Sequence, residues 1–442
     1  MRMIFMRLLF LSMFAMTIGG CADIDPITPG PVNPGSADFT RYVAVGNSLT
    51  AGVQSGGLVD KFQNVSFPAL IAESARLGAF EMPLVSEPGI PALLNLEQIL
   101  PTPIINPLPG PDGSPTNLMF PGIYNNLGIP GALLHDLRVR RPNPVDAFGL
   151  VLRDTTLGPT AIAQALNAQP TFVTAWMGAN DILGSASMGT DLGLTDVTFF
   201  ENEYRAAINA LNAGAGAMVT ANLPDITAIP FFTTIPWFVV DPVTRQPVLD
   251  PQNNVIPLIG PGPANLVPGT LVTLRASASL AQGIGIPVAL GGTGNPLPDT
   301  EVINPTELAN IQTRLGEFNA IIDSICTNRG VPVVDMFAFF NGIKANGIML
   351  HGNKFTADFI SGGLFSLDGV HPSSLGYLIV AREFIRVINA NFGASLPDPP
   401  LPLTSGMAAA MARSISPLEY VAAMPPGAFD GVVRMLSGSN YR

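Results

Sequence analysis

The chain has 442 residues and a formal charge of −11, and only 12% of its residues are charged, about half the usual share for a globular protein. A chain this acidic offers no basic face for nucleic acid or for anionic membranes, and 47% hydrophobic residues are ample for a full core. The 45 glycines and 43 prolines assign much of the length to turns and long loops.

In chain order, the first element is a targeting segment. Arg2 and Arg7 precede an apolar run from Leu8 to Ile18, and Gly19-Gly20-Cys21 supplies small residues at a cleavage point. The run is too short for a permanent span, which needs ~20 apolar residues. Ile18-Gly-Gly-Cys21 resembles a bacterial lipoprotein signal. The resemblance implies that residues 1–20 are removed, that Cys21 is acylated, and that the protein is exported and held in a cell envelope by its lipid. The outer membrane is the expected location, on its periplasmic or surface face. An ordinary secretory signal with an incidental cysteine is the alternative. With Cys21 so used, Cys326 is left alone and reads as a small buried apolar side chain, with no disulfide. From Asp25 to Ala37 four prolines and two glycines form a semi-extended tether, so 21–40 is the linker to the body.

The body, 41–393, begins with a short strand, Arg41 to Val45, that breaks at Gly46. Ser48 follows on the sharp turn, where a hydroxyl is expected to stand up into solvent. Further strands are predicted at Thr171 to Met177, Ala217 to Asn222 and Val331 to Asp335, each a short apolar run ending in a turn signal. Helical stripes lie between and after them: Tyr204, Ile208 and Leu211; Leu308 through Ile325; Leu375 through Ile388. Strands alternating with helices imply a mostly parallel sheet covered on both faces, with the ligand at the carboxyl ends of the strands. Two stretches, about 82–126 and 224–305, break the alternation and read as loop insertions. In the second, the aromatics Phe231, Phe232, Trp237 and Phe238 fit a lid or acyl-binding surface slightly better than core. Residues 394–442, with a Met/Ala-rich stretch from Met407 to Arg413, form a C-terminal appendage packed on the body or partly disordered.

Chemistry concentrates in few residues. Ser48 becomes a nucleophile if a base lies beside it; otherwise it is a helix cap. The chain has three histidines, and His371 closes Asp368-Gly-Val-His371, where one turn brings a carboxylate beside the ring. Gly178-Ala-Asn180-Asp181 follows an apolar strand and supplies a side-chain amide, with Asp181 read as structural. Nucleophile, oriented base and oxyanion donor are all present. His135 and His351 read as surface or structural residues. Three scattered histidines and one thiol assemble no metal sphere, and there is no phosphate-binding glycine loop, so no cofactor is expected.

Four blocks in order, Gly46-Asn47-Ser48-Leu49, Asn126-Leu-Gly-Ile-Pro-Gly131, Gly178-Ala-Asn180-Asp181 and Asp368-Gly-Val-His371, resemble those of GDSL-type SGNH hydrolases. The resemblance runs from about Arg41 to Phe392. It implies a three-layer α/β/α sandwich of flavodoxin-like topology. It also implies roles: Ser48 as nucleophile, His371 as general base, Asp368 as its partner, and an oxyanion hole from the Ser48 and Gly131 backbone N–H groups and the Asn180 amide. The family's usual aspartate before the serine is Asn47 here, which keeps the shape and loses the charge. The expectation is a serine esterase or lipase-like acylhydrolase acting on a small-molecule or lipid ester. The alternatives are a carbohydrate acetylesterase and, in a different class, a surface lipoprotein that binds ligand without turnover. The oligomeric state stays open.

Overall fold

The computed structural model describes residues 32–98, 103–262, 264–350, 352–399, 424–425 and 427–437. The targeting segment, Cys21, the first part of the tether, His351 and the Met407 to Arg413 stretch lie outside the described residues. Among the described residues no helix is long and apolar enough to cross a membrane.

Five strands form the central sheet: β1 (Tyr42–Gly46), β2 (Asn126–Gly128), β3 (Phe172–Trp176), β4 (Ala217–Ala221) and β5 (Val333–Val334). They lie in the order β2-β1-β3-β4-β5, and every pairing is parallel. That is a doubly wound, flavodoxin-like order, whose switch point falls between β1 and β3. All residues of β1 and β3 are buried, as expected of strands covered on both faces.

The seven helices that matter here are α1 (Ser48–Ala51), α2 (Phe67–Ser74), α3 (Asn180–Ala186), α4 (Val197–Gly214), α5 (Pro305–Thr327), α6 (Ser374–Phe392) and α7 (Asp430–Ser437). On one face Phe67 of α2 stacks on Phe384 of α6 at 4.6 Å, and both rings meet Trp176 of β3. Thr220 of β4 pairs with Ala175, the neighbour of Trp176, so it points the other way. There its hydroxyl lies 2.9 Å from Tyr204 Oη of α4, and Phe200 of α4 stacks on Phe318 of α5 at 3.8 Å. Two helical layers therefore sandwich the sheet. The predicted stripes are the faces that pack: Tyr204, Ile208 and Leu211 are fully buried, as are Ile311, Phe318 and Ile322. Local chemistry agrees. Asn304 and Glu307 form a capping box at the start of α5, and α6 stops at Gly393 with φ 62°.

Three expectations need correction. Asn126, the last residue of the expected insertion, begins a strand of the main sheet, Asn126–Gly128, that the sequence did not announce; the rest of 82–126 includes an antiparallel pair, Leu94–Gln98 with Ile104–Pro107. The fifth strand is two residues long, shorter than the run from Val331 to Asp335. Phe231 and Phe232 are fully buried core rather than lid, because the Phe231 N–H donates to Gly369 O and draws that segment into the body.

Candidate active site

The switch point gathers the chemistry. β1 ends at Gly46, where a Cβ would lie 2.1 Å from Thr50 Oγ1 and 2.5 Å from the Trp176 carbonyl oxygen, so only glycine lets the chain turn this tightly against β3. Asn47 then caps α1, its Oδ1 accepting the Leu49 N–H at 3.0 Å. The uncharged residue thus keeps a structural hydrogen bond, and the cap is Asn47 rather than Ser48. Ser48 is the first residue of α1, so its N–H has no intrahelical acceptor.

His371 Nε2 lies 2.8 Å from Ser48 Oγ, and His371 Nδ1 lies 2.9 Å from Asp368 Oδ2. Asp368 Oδ2 also accepts the Gly56 N–H at 2.7 Å, while Oδ1 accepts the Val370 and His371 N–H groups. Burial alone would push the Asp368 carboxyl up, but the His371 charge and these hydrogen bonds outweigh it and hold the group below the usual carboxylate range. With Asp368 ionised, Nδ1 carries the hydrogen and donates it, leaving Nε2 to accept from Ser48.

Ser48 does not stand in solvent as the sequence suggested. It is 2% exposed, and His371 and Asp368 are fully buried. Ser48, His371 and Asn180 line one cavity of about 20 Å³ whose walls are Leu49, Leu183, Ile229, Phe340, Phe365 and Leu436, among others. That is room for about one water molecule.

Asn180 opens α3 just past the end of β3, after the turn at Gly178 (φ 99°). Its Nδ2 donates to Ala132 O at 3.0 Å, which uses one of the amide's two N–H groups, and its Oδ1 is buried without a hydrogen-bond partner among the described residues. Gly131 (φ 79°) is not among the residues lining that cavity. It sits on the turn after β2, held at the same end of the sheet by the Ile129 N–H on Gly46 O. Asp181 also grips this turn: it accepts the Leu134 N–H at 2.9 Å and the Thr195 hydroxyl at 2.7 Å. Burial pushes its carboxyl up to about 6, against the lowering effect of those two bonds.

His135 faces Glu203 at 3.0 Å and packs its ring against Phe199, outside the site. Cys326 is a free, buried thiol near Tyr204 Oη, as its composition suggested. The sequence reading missed Leu436. The apolar spacing of Phe429, Val432, Val433 and Leu436 is the helical signal that could have found it.

No curated protein matches the chain. Among solved structures, it is similar to a catalytic mutant of the acetylxylan esterase Axe2 from Geobacillus stearothermophilus, with 12% identity and a TM-score of 0.34 over 78% of this chain and 93% of that one. It is also similar to LAE5, an alpha/beta hydrolase enzyme from the metagenome of Lake Arreo, Spain (13% identity, TM-score 0.35, 81% and 96% covered). A lipase/acylhydrolase from Enterococcus faecalis gives 13% identity and a TM-score of 0.31, with 82% and 98% covered. Scores of this size assign no chemistry. The family profile is decisive: residues 42–384 match that of GDSL-like lipases/acylhydrolases, and the chain belongs to this family.

Proposed function

We propose that this protein is an exported serine esterase that cleaves carboxylic esters through an acyl-enzyme on Ser48. The observation that carries the reading is the unbroken line of contacts from Ser48 Oγ to His371 to Asp368, at 2.8 and 2.9 Å. In the first step His371 Nε2 takes the Ser48 proton as Oγ attacks the ester carbonyl. Negative charge grows on the carbonyl oxygen, and the Ser48 N–H, the Gly131 N–H and the free N–H of Asn180 are the donors assigned to it. The imidazolium, stabilised by Asp368, returns the proton to the leaving alkoxide. Water then enters, gives its proton to His371, and releases the acid with Ser48 restored.

The apolar cavity wall favours an uncharged acyl group over a small charged one, and an acyl-chain-length series separates a longer-chain acylhydrolase from the carbohydrate acetylesterase reading. The lipoprotein-like run Ile18-Gly-Gly-Cys21 after an apolar stretch supports export with a lipid on Cys21. Metabolic labelling with palmitate, lost in Cys21→Ser, tests the anchor. Ser48→Ala is expected to abolish both p-nitrophenyl ester hydrolysis and labelling by a fluorophosphonate. Unchanged turnover in that variant would refute the assignment. A wild-type protein that binds ligand but is never labelled would favour the non-catalytic reading.

A further inference from the structure

A 20 Å³ cavity around Ser48 is too small for any ester, since even an acetyl ester is several times larger than a water molecule. The walls come from the body with one exception among the described residues: Leu436, from α7. The segment carrying it is amphipathic. Phe429, Val432, Val433 and Leu436 are all at most 4% exposed, while Arg434 faces outward. Phe429 meets the edge of Phe231 at 5.5 Å, and Val432 lies over Gly56, whose N–H holds Asp368. A second, open groove of about 930 Å³ is lined by Gly431, Arg434 and Met435 of the same helix together with Leu150 and Pro130, next to Gly131, and it shares no lining residue with the Ser48 cavity. α7 is therefore a partition between the catalytic serine and a groove wide enough for substrate.

We infer that α7 is a displaceable lid and that Leu436 occupies the place of the substrate's acyl chain. The inference rests on Ser48 being the nucleophile. Substrates are esters whose apolar chain can replace a leucine side chain, and the groove becomes continuous with Ser48 once the helix leaves. A closed lid lowers apparent reactivity in proportion to the fraction of molecules that are open.

The test uses the full chain. Val433→Asp places a charge under the helix, away from the cavity, and Leu436→Ala removes the plug; Leu436→Met keeps its apolar bulk. Thermal unfolding verifies that each body is folded. The rate of Ser48 labelling by an ethyl fluorophosphonate is expected to rise at least about tenfold in Val433→Asp, with backbone amides 431–437 losing hydrogen-exchange protection, and to rise less in Leu436→Ala. Among the three variants the rise is expected to be smallest in Leu436→Met, which keeps the apolar bulk. In wild type, a dodecyl phosphonate adduct leaves those amides unprotected, because its chain takes the place of Leu436. Loss of protection in Val433→Asp with labelling at the wild-type rate would overturn the lid. A folded protein unlabelled in every variant would defeat the nucleophile assignment, and the lid with it.

Discussion

Replacing Asp368 with asparagine separates the role of the carboxylate from its shape. The two oxygens accept four N–H groups: Val370 and His371 backbone on Oδ1, Gly56 backbone and the His371 ring on Oδ2. An amide has one acceptor, so it must choose. With its oxygen toward the ring, the imidazole keeps the productive tautomer, but the amide nitrogen faces two backbone donors and orphans both. With its oxygen toward the backbone pair, only the Gly56 N–H is orphaned, and the amide donates to Nδ1, so Nε2 carries the hydrogen and cannot accept from Ser48. One orphaned buried donor costs about 1–3 kcal/mol, so the unproductive arrangement wins by about that much. The productive tautomer falls about 5- to 150-fold by this effect alone. Losing the charge beside the imidazolium adds to it, and the total approaches ~10⁴ in kcat. The assay is steady-state hydrolysis of a p-nitrophenyl ester between pH 7 and 9, with circular dichroism to verify folding. A folded Asp368→Asn enzyme within about tenfold of wild type would refute the reasoning.

Other consequences follow from the same geometry. Asn180→Ala removes the proposed oxyanion donor and the tie to Ala132 O, so kcat is expected to fall ~10²- to 10³-fold with little change in KM; equal kinetics would place that amide outside the reaction. Asp181, an acid held at about 6 when folded and about 4 when unfolded, binds extra protons on folding between those values. Stability therefore falls by about 3 kcal/mol as pH rises from about 4 to about 6, then levels, and melting profiles should show this step flattened in Asp181→Asn. Gly46→Ala drives a methyl group to 2.1 Å from Thr50 Oγ1 and 2.5 Å from a backbone oxygen. It should cost about 1–3 kcal/mol in denaturant unfolding and slow Ser48 labelling by more than the folded fraction explains.

Much of the site was legible because its residues are constrained locally. A β-branched strand ending in glycine announces the turn that carries Ser48, and the three-position spacing of Asp368 and His371 fixes their contact on one loop. Burial was not legible at Ser48, since a serine with a helix laid over it reads the same as an exposed one. β2 escaped because three residues after a Pro-rich stretch carry no period, and parallel pairing with β1 supplies what propensity does not. Phe231 and Phe232 were misjudged because proline-rich composition speaks of backbone, whereas their burial is decided by Gly369, far along the chain. The apolar spacing of α7 was readable, but its place over Ser48 was not.

Ser48 and His371 are 323 positions apart, and they touch. A ribosome working from the amino terminus releases the serine long before it has made the imidazole. If Ser48 is the proposed nucleophile, a nascent chain carries it as an inert alcohol for most of its synthesis. Ester cleavage is in this sense a late reporter: its onset in a refolding experiment marks the moment when the two ends of the domain have found each other.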